Sequence, residues 1–289
     1  MGPDRGALHD TALLRDAIEA LVGAGGEVHR AEPGPNAPGS TVAVEVSPPG
    51  GGIGSIRTAM EALGLVKLPR GGRQWVGYDH DSGRWVELRV AGDPDRRWPV
   101  PRRIRGIGVA LMGADGAGKS TVAAAVAEGF HLPVRSVYMG LHQEGSRRRR
   151  SPVPGLGLAA AIGRQWGRWA RGLGHRLRGR LVLFDRYTYD ALLPSDRPLS
   201  HARRLRRMLL ARACPRPDLV VVLDAPAGTL FARAGEHDLE LLERHRQGLL
   251  ALARRLPRTV IVDAAQAPDA VARDVIAAIW RAYCRRSAA

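Results

Sequence analysis

The chain has 289 residues and a formal net charge of +16, with 44 basic and 28 acidic residues. Its length allows one large core or two smaller ones, and Cys214 and Cys284 are too few for a disulfide framework. The sequence contains neither a run of about 18 apolar residues nor an N-terminal segment that resembles a signal peptide. These features exclude a disulfide scaffold and a membrane-spanning helix, and we expect a cytoplasmic protein.

The charge is unevenly distributed along the chain. Residues 1–98 carry a net charge of −2, whereas residues 99–289 carry +18. The change falls in "AGDPDRRWPVPRRIRG" (91–106), a proline-rich, charged segment typical of a linker. We therefore predict a small domain at 1–98, a linker at 99–105 and a larger domain at 106–289.

The first domain has an α+β pattern. An amphipathic helix is predicted at 11–25, a strand at 41–46, a second helix at 55–68, and a hairpin at 73–90 around an Asp-Ser-Gly turn. This order resembles the small nucleotidyltransferase-like domains. Their active members carry acidic metal ligands where this chain has Thr41, Ala43 and Arg89, so the resemblance implies a degenerate regulatory or interaction domain. Glu45 and Glu87 are predicted to be solvent-facing strand residues.

A glycine-rich segment, "MGADGAGKST" (112–121), opens the second domain. Its spacing, G-x-x-x-x-G-K-S, is that of a phosphate-binding P-loop. Lys119 is one of only two lysines in a chain that otherwise uses arginine, and a compact ammonium on a flexible stem suits this position. An apolar strand pattern at 106–112 precedes the loop and a helical pattern at 120–130 follows it, as a P-loop requires.

This pattern predicts the residues that bind the nucleotide. Lys119 would reach the β- and γ-phosphates of ATP, and Ser120 would be a ligand of Mg²⁺. Backbone N–H groups of the loop and the helix N-terminus would face the phosphates. The predicted phosphate-binding residues are Gly113, Asp115, Gly116, Ala117, Gly118, Lys119, Ser120 and Thr121.

Four further strand patterns follow, at 132–139, 180–187, 217–224 and 258–265, and helical segments separate them. This alternation predicts a P-loop NTPase fold, an α/β domain with a five-stranded parallel sheet and helices on both faces. In such sheets ligands bind at the carboxyl ends of the strands. Asp185, Arg186 and Asp224 are expected at that edge, together with the P-loop.

Residues 106–283 resemble the thymidylate kinase-like P-loop kinases. The resemblance rests on "GADGAGKST", "FDRY", "PDLVVVLDAPAGTLFAR" and "IVDAAQ", which occur in the family's order. It implies ATP and Mg²⁺ as cofactors, Asp115 facing the acceptor, and Arg186 clamping a phosphate. It further implies Arg233 in a mobile lid and Ala264 and Gln266 along the adenine.

The metal ligands suggested by motif and resemblance together are Ser120, Asp185 and Asp224. For Asp185 the resemblance also leaves open a catalytic position near the attacking oxygen. Structural alternatives remain open for several of these residues. Asp185 and Arg186 could form an ion pair at the strand end, Asp224 could cap the following turn, and Arg233 could be a solvated arginine.

The part of the sequence that would bind the acceptor departs from the pattern of the thymidylate kinase-like family. Its "REP" stretch is replaced by "VYMGLHQEGSRRRRSPVPG" (137–155), and Asp190 stands where the family has a serine. The favoured function is phosphoryl transfer to a nucleoside monophosphate. The alternatives are a kinase for a sugar or another metabolite, and a catalytically weak ATP-binding regulatory protein. The resemblance also implies a homodimer.

An arginine-rich stretch spans Arg147–Arg180, with ten arginines and Glu144 as the one acid of residues 141–180. Three ligands suit it: an anionic acceptor, an anionic membrane surface, or nucleic acid. A solvated loop and helix is the fourth interpretation. Four glycines are expected to weaken any long helix here, which argues against a membrane-binding helix: Gly163, Gly167, Gly172 and Gly174.

Overall fold

A computed structural model describes residues 11–32, 39–47, 53–67, 74–90, 106–140, 156–194, 199–234 and 238–288. The predicted linker at 99–105 and the arginine run at 147–150 lie outside these residues. The chain divides into two compact units. The first comprises Met1–Ile104, Glu128–His131 and Ile276–Ala289, and the second comprises Arg105–Ala127 and Leu132–Val275.

Two helices and a five-stranded mixed sheet form most of the first unit. Its elements are α1 (Ala12–Gly23), β1 (Glu27–Glu32), β2 (Thr41–Ser47), α2 (Ile53–Ala62), β3 (Val66–Lys67), β4 (Gln74–Asp79) and β5 (Arg84–Val90). The strand order is β1-β2-β5-β4-β3, and only β2 and β5 run parallel. The predicted strand at 41–46 and hairpin at 73–90 are confirmed.

Helix α1 shows why the first predicted helix forms. The Thr11 hydroxyl accepts a hydrogen bond from the Leu14 N–H and caps the helix start. Leu14, Ala17 and Leu21 recur at helical spacing and are buried. They pack in one core with strand residues such as Val44.

Two predictions for this unit are wrong in detail, and one strand was not predicted. The helix predicted at 55–68 ends at Ala62, because Gly64 adopts a left-handed φ of +79° and the chain then enters β3. Strand β1 was not predicted, since its charged sequence has no apolar alternation; among the described strands it lies at the end of the sheet, beside β2. Glu87 is buried rather than solvent-facing, because β5 is the central strand; Glu45 is exposed as predicted.

The second unit contains the all-parallel sheet. Its elements are β6 (Gly108–Gly113), α3 (Lys119–Gly129), β7 (Val134–Tyr138), α4 (Leu156–Leu177), β8 (Leu181–Asp185), a 3₁₀ helix (Thr188–Leu192), α5 (His201–Ala211), β9 (Leu219–Asp224), α6 (Ala227–Ala234), α7 (Leu239–Ala253), β10 (Thr259–Asp263) and α8 (Pro268–Ala288). The last two residues of α3 and the part of α8 from Ile276 onward belong to the first unit. The predicted five-stranded parallel α/β fold is confirmed.

Strand order positions the candidate site. The order is β10-β9-β6-β8-β7, so the strand before the P-loop lies at the centre. Its neighbours are β8, which ends at Asp185, and β9, which ends at Asp224. Because all five strands are parallel, these carboxylates and Gly113 end at the same edge of the sheet.

Helix α4 corrects the prediction that its glycines weaken a long helix, since it runs for 22 residues. A Cβ on Gly172 would lie 2.7 Å from the Phe184 ring, so the missing side chain allows the helix to approach β8 closely. Arg176 also forms an ion pair with Asp218, with Nη2 and Oδ2 2.7 Å apart and both side chains largely buried. Tertiary packing therefore outweighs intrinsic helix propensity here.

Several arginines of α4 make intramolecular contacts. Arg168 donates to the Gly140 carbonyl and lies over the Tyr138 ring, 5.4 Å from its centroid. Arg178 donates to the Gly174 carbonyl one turn earlier. At least part of the arginine-rich stretch is thus structural. Among the residues that the structure describes, no helix is long and apolar enough to cross a membrane.

Candidate active site

The loop between β6 and α3 depends on two glycines in the left-handed region. Gly116 has φ +83° and Gly118 has φ +80°. A Cβ on Gly116 would lie 2.4 Å from the Leu230 carbonyl oxygen of α6, so only glycine fits there. A Cβ on Gly118 would have no atom of the described residues within 4 Å, which leaves space above the loop.

Lys119 folds back over this loop. Its Nζ donates to the carbonyls of Gly113 and Ala114, both at 2.8 Å, and lies 3.6 Å from an Asp115 carboxylate oxygen. Burial lowers the pKa of Lys119 and the nearby Arg186 guanidinium lowers it further, against the opposing effect of Asp115. A poorly solvated cation held by carbonyls is suited to receive a phosphate.

The first turn of α3 continues directly from the glycine loop. Ser120 and Thr121 lie at the helix N-terminus with exposed side chains. The Val122 N–H bonds the Gly118 carbonyl as the first turn closes. Backbone N–H groups at a helix start carry partial positive charge and bind anions, so this turn fits a nucleotide phosphate.

Arg186 occupies a strained position at the end of β8. Its φ of +62° is unusual for a residue with a side chain, and its backbone N–H bonds the Leu111 carbonyl of β6. The strained backbone occurs where its guanidinium contacts the P-loop, with Nη2 2.8 Å from Asp115 Oδ1. Strain that the surrounding structure maintains is typical of functional sites.

Asp190 is the residue that sequence reasoning did not place in the site. It lies in the 3₁₀ helix, and its Oδ2 is 3.8 Å from Arg186 Nη1. Burial raises the pKa of this carboxyl to about 6, although Arg186 and Lys119 act in the opposite direction. The signal was present in the sequence, since this is the position where the thymidylate kinase-like pattern has a serine.

One charged cluster therefore joins residues from three parts of the chain: Asp115, Lys119, Asp185, Arg186 and Asp190. Burial alone would lower the pKa of Arg186, but Asp190 and Asp115 raise it above its ordinary value. Asp185 also acts on both Lys119 and Asp190. The sequence predicted four of these five as site residues, and the structure brings them together.

The described residues contain no group of three His, Cys, Asp or Glu side chains that could hold a metal alone. Mg²⁺ usually binds through one or two carboxylates, waters and substrate phosphates, so its site need not pre-exist. Ser120 lies in the first turn of α3, and Asp185 ends β8. Asp224 is otherwise engaged, because Arg246 Nε and Nη2 contact its two oxygens at 2.7 and 3.0 Å.

Arg246 was not predicted from the sequence. It lies on α7, and its Nη1 also reaches Glu243 one turn earlier at 3.3 Å. In a chain with so many arginines, only the tertiary structure distinguishes this one. The bidentate contact is the geometry that arginine and a carboxylate prefer, and it holds α7 against the end of β9.

The predicted lid and adenine residues form a second group. Arg233 Nη1 donates to the Ala264 carbonyl at 2.8 Å, and the Ala264 N–H bonds the Asp224 carbonyl. Gln266 is exposed, and its Nε2 contacts Asp274 Oδ2 at 3.3 Å. The end of α6 and the turn after β10 thus meet through this hydrogen bond.

No protein-family model matches the chain. Over 208 residues it is 27% identical to a probable thymidylate kinase of Thermococcus onnurineus, covering 62% of this chain and 99% of that protein. A probable thymidylate kinase of Thermococcus gammatolerans is 29% identical over 201 residues, and the match covers 59% of this chain and 94% of that protein. The solved thymidylate kinase of Candida albicans is 19% identical, covers 59% of this chain and 89% of its own, and has a TM-score of 0.44.

The P-loop, the parallel sheet and the charged cluster at its edge define a P-loop α/β protein. The two sequence relatives support a thymidylate kinase-like fold over about six-tenths of this chain and indicate a phosphotransferase. No comparison supports the nucleotidyltransferase-like interpretation of residues 1–98.

Proposed function

We propose that this protein is an ATP- and Mg²⁺-dependent kinase whose acceptor is a nucleoside monophosphate. The observation that carries the proposal is the contact of Asp115 with both Lys119 and Arg186 on a P-loop. It joins a phosphate-binding cation to an arginine that can reach a second anionic group. The names of the two Thermococcus relatives point to thymidylate as the first acceptor to test.

The proposed roles follow from charge and position. Lys119 and the loop N–H groups would bind the β- and γ-phosphates of ATP, and Arg186 would stabilise charge on the transferring group. Ser120 and Asp185 would hold Mg²⁺, which neutralises phosphate charge. Asp224 would become a third ligand of Mg²⁺ only if it gave up its contact with Arg246.

The nucleotide's base would lie along the second group. Ala264 forms the turn after β10, and Arg233 already contacts its carbonyl. When ATP binds, Arg233 would leave the Ala264 carbonyl and contact the ATP phosphates instead. Gln266 would lie beside the adenine. Phosphoryl transfer depends mainly on positioning and charge stabilisation, and these groups could supply both.

Asp190 favours a second candidate, a kinase for an acceptor with a free hydroxyl, such as a sugar. A monophosphate acceptor needs no proton removed by the protein, whereas a hydroxyl does. Asp190 lies beside Arg186 in a cluster with Asp115 and Asp185, where three carboxylates would repel a doubly charged phosphate. A carboxylate with a pKa of about 6 is an effective base near neutral pH.

The experiment is ADP production from ATP and Mg²⁺ with a panel of nucleoside monophosphates, nucleosides and sugars. Lys119→Ala should lower turnover by about three orders of magnitude or more, because it removes the phosphate-binding cation. Lys67→Ala is the matched control, since Lys67 is the only other lysine and lies on β3.

The outcomes separate the candidates. Lys119-dependent turnover with thymidylate or another monophosphate supports the proposal. Turnover only with hydroxyl acceptors supports the second candidate. Tight ATP binding with no turnover on the whole panel contradicts both and favours an ATP-binding regulatory protein.

A further inference from the structure

Helix α5 carries an exposed apolar ridge. Leu205, Met208 and Leu209 follow one another at helical spacing, and they are 58%, 45% and 45% exposed. Monomeric soluble proteins expose single apolar residues routinely, but three large ones on one helix face indicate an interaction surface. The ridge takes no part in the candidate active site.

The opposite face anchors the helix to the second unit. Leu210 and Ala211 are buried, and the Thr188 hydroxyl donates to the Ala211 carbonyl. Arg207 donates to the carbonyls of Ala191 and Leu193 in the segment that contains the 3₁₀ helix. The ridge is therefore held outward by a fixed helix.

Arginines flank the ridge on both sides. Arg204 and Arg206 precede and follow Leu205, so they lie about 100° to either side of it around the helix. Both side chains are exposed, as are those of Arg203 and Arg212. The sequence from 197 to 217 contains no acidic residue to balance them.

We propose that α5 docks this protein on an anionic lipid surface. An apolar ridge with an exposed arginine on each side is the pattern of a helix that lies in the plane of a bilayer interface. The side chains of Leu205, Met208 and Leu209 would enter the acyl boundary. The arginines would bury their stems and place their guanidinium groups among anionic headgroups.

The charge on α5 disfavours two other occupants. In a symmetric dimer through this helix, the arginines of one copy would face those of the other without any carboxylate from α5 between them. Nucleic acid would satisfy the arginines through its phosphates but would leave the exposed leucines against a charged backbone. An anionic bilayer satisfies both features together.

The test is co-sedimentation of the full chain with phosphatidylcholine vesicles, with and without about one third phosphatidylglycerol. Wild type should bind only the anionic vesicles, and added salt should weaken binding. Arg204→Gln with Arg206→Gln should weaken binding about 30-fold, because each basic residue near an anionic surface contributes about fivefold. Leu205→Ser with Leu209→Ser should weaken it at least tenfold.

Two matched controls keep charge and hydrophobicity separate. Arg254→Gln with Arg255→Gln removes two exposed arginines from the end of α7, and Val22→Ser removes an exposed apolar residue of α1. Neither should alter vesicle binding. Thermal unfolding should show all variants to be folded, since the changed side chains are exposed.

Three kinds of result would overturn the proposal, from vesicle binding, oligomeric state and DNA binding. One is the absence of binding to anionic vesicles, or equal binding by wild type and both α5 variants. Another is a change of oligomeric state in the leucine variant without a change in vesicle binding, which would make a second copy the occupant. The third is loss of binding to a short DNA duplex in the arginine variant while vesicle binding is retained.

Discussion

The two sheets differ in how far the fold satisfies their polar groups. In the mixed sheet, Asp79 is buried and its oxygens accept hydrogen bonds from the backbone N–H groups of Leu13, Asp81 and Ser82. Glu87 is also buried, and its Oε1 lies 2.8 Å from Arg89 Nε. The Asp79 carboxylate thus satisfies backbone N–H groups of the β4–β5 turn and of α1, and Glu87 is paired within β5, as buried polar groups in stable cores are.

At the edge of the parallel sheet, the charges are less completely compensated. Lys119 has a lowered pKa and Asp190 a raised one, so burial disfavours the ionised form of both. Arg186 adds a strained backbone. A polar group that the fold leaves poorly compensated is available to a ligand, whereas one that ends in local hydrogen bonds is structural.

The largest expected effect in this comparison is on catalysis. Arg186→Gln should lower kcat by about 10²–10³-fold, because it removes a cation aimed at developing phosphate charge. The control is Arg255→Gln, which removes an exposed arginine on the C-terminal side of α7 and should leave kcat unchanged. Steady-state kinetics on the identified acceptor measures both. An unchanged kcat in Arg186→Gln would remove this residue from the mechanism.

Asp190 and Asp79 should show opposite effects on stability. The folded pKa of Asp190 is raised from 3.8 to about 6, so its ionised form destabilises the folded chain, and this cost is absent at low pH and complete above pH 6–7. Relative to Asp190→Asn, the wild-type free energy of unfolding should fall by up to about 3 kcal/mol as the pH rises from about 4 to 7.

Asp79→Asn should instead lose about 1–2 kcal/mol, because the amide cannot accept all three backbone hydrogen bonds. Urea unfolding across this pH range measures both variants. A stability difference for Asp190→Asn that does not vary with pH would contradict the raised pKa.

The Asp224–Arg246 pair distinguishes a structural ion pair from a metal ligand. The side chains are 20% and 27% exposed, so breaking this bidentate pair should cost about 1–2 kcal/mol. A double-mutant cycle with Asp224→Asn and Arg246→Gln should show coupling between the two. If Asp224→Asn alone also raises the Mg²⁺ concentration needed for half-maximal turnover, Asp224 is a metal ligand as well.

The glycines of α4 provide the last comparison, and it includes the smallest expected effect. Gly172→Ala should destabilise the chain by about 1–3 kcal/mol, because the added Cβ would lie 2.7 Å from Phe184. Gly167→Ala meets no described atom within 4 Å and should stabilise it by about 0.5–1 kcal/mol. Thermal unfolding measures both. Equal effects at the two positions would show that packing against β8 does not shape this helix.

Local sequence determined much of the second unit. The strand before the loop, the glycine spacing and Lys119 specify a P-loop, because backbone conformation and phosphate chemistry act over a few residues. Alternating apolar strands and helices specified the parallel sheet, and a parallel sheet brings the ends of its strands to one edge. For this reason Asp185 and Arg186 could be placed near Asp115 from sequence.

Only the tertiary structure decided the rest. Arg246 is one arginine among many until α7 packs beside β9, and Asp190 becomes poorly solvated only in the folded site. The 22-residue α4 forms despite its glycines, because Gly172 allows close packing on Phe184. Desolvation and packing depend on residues distant in the chain, so neither can be determined from local pattern.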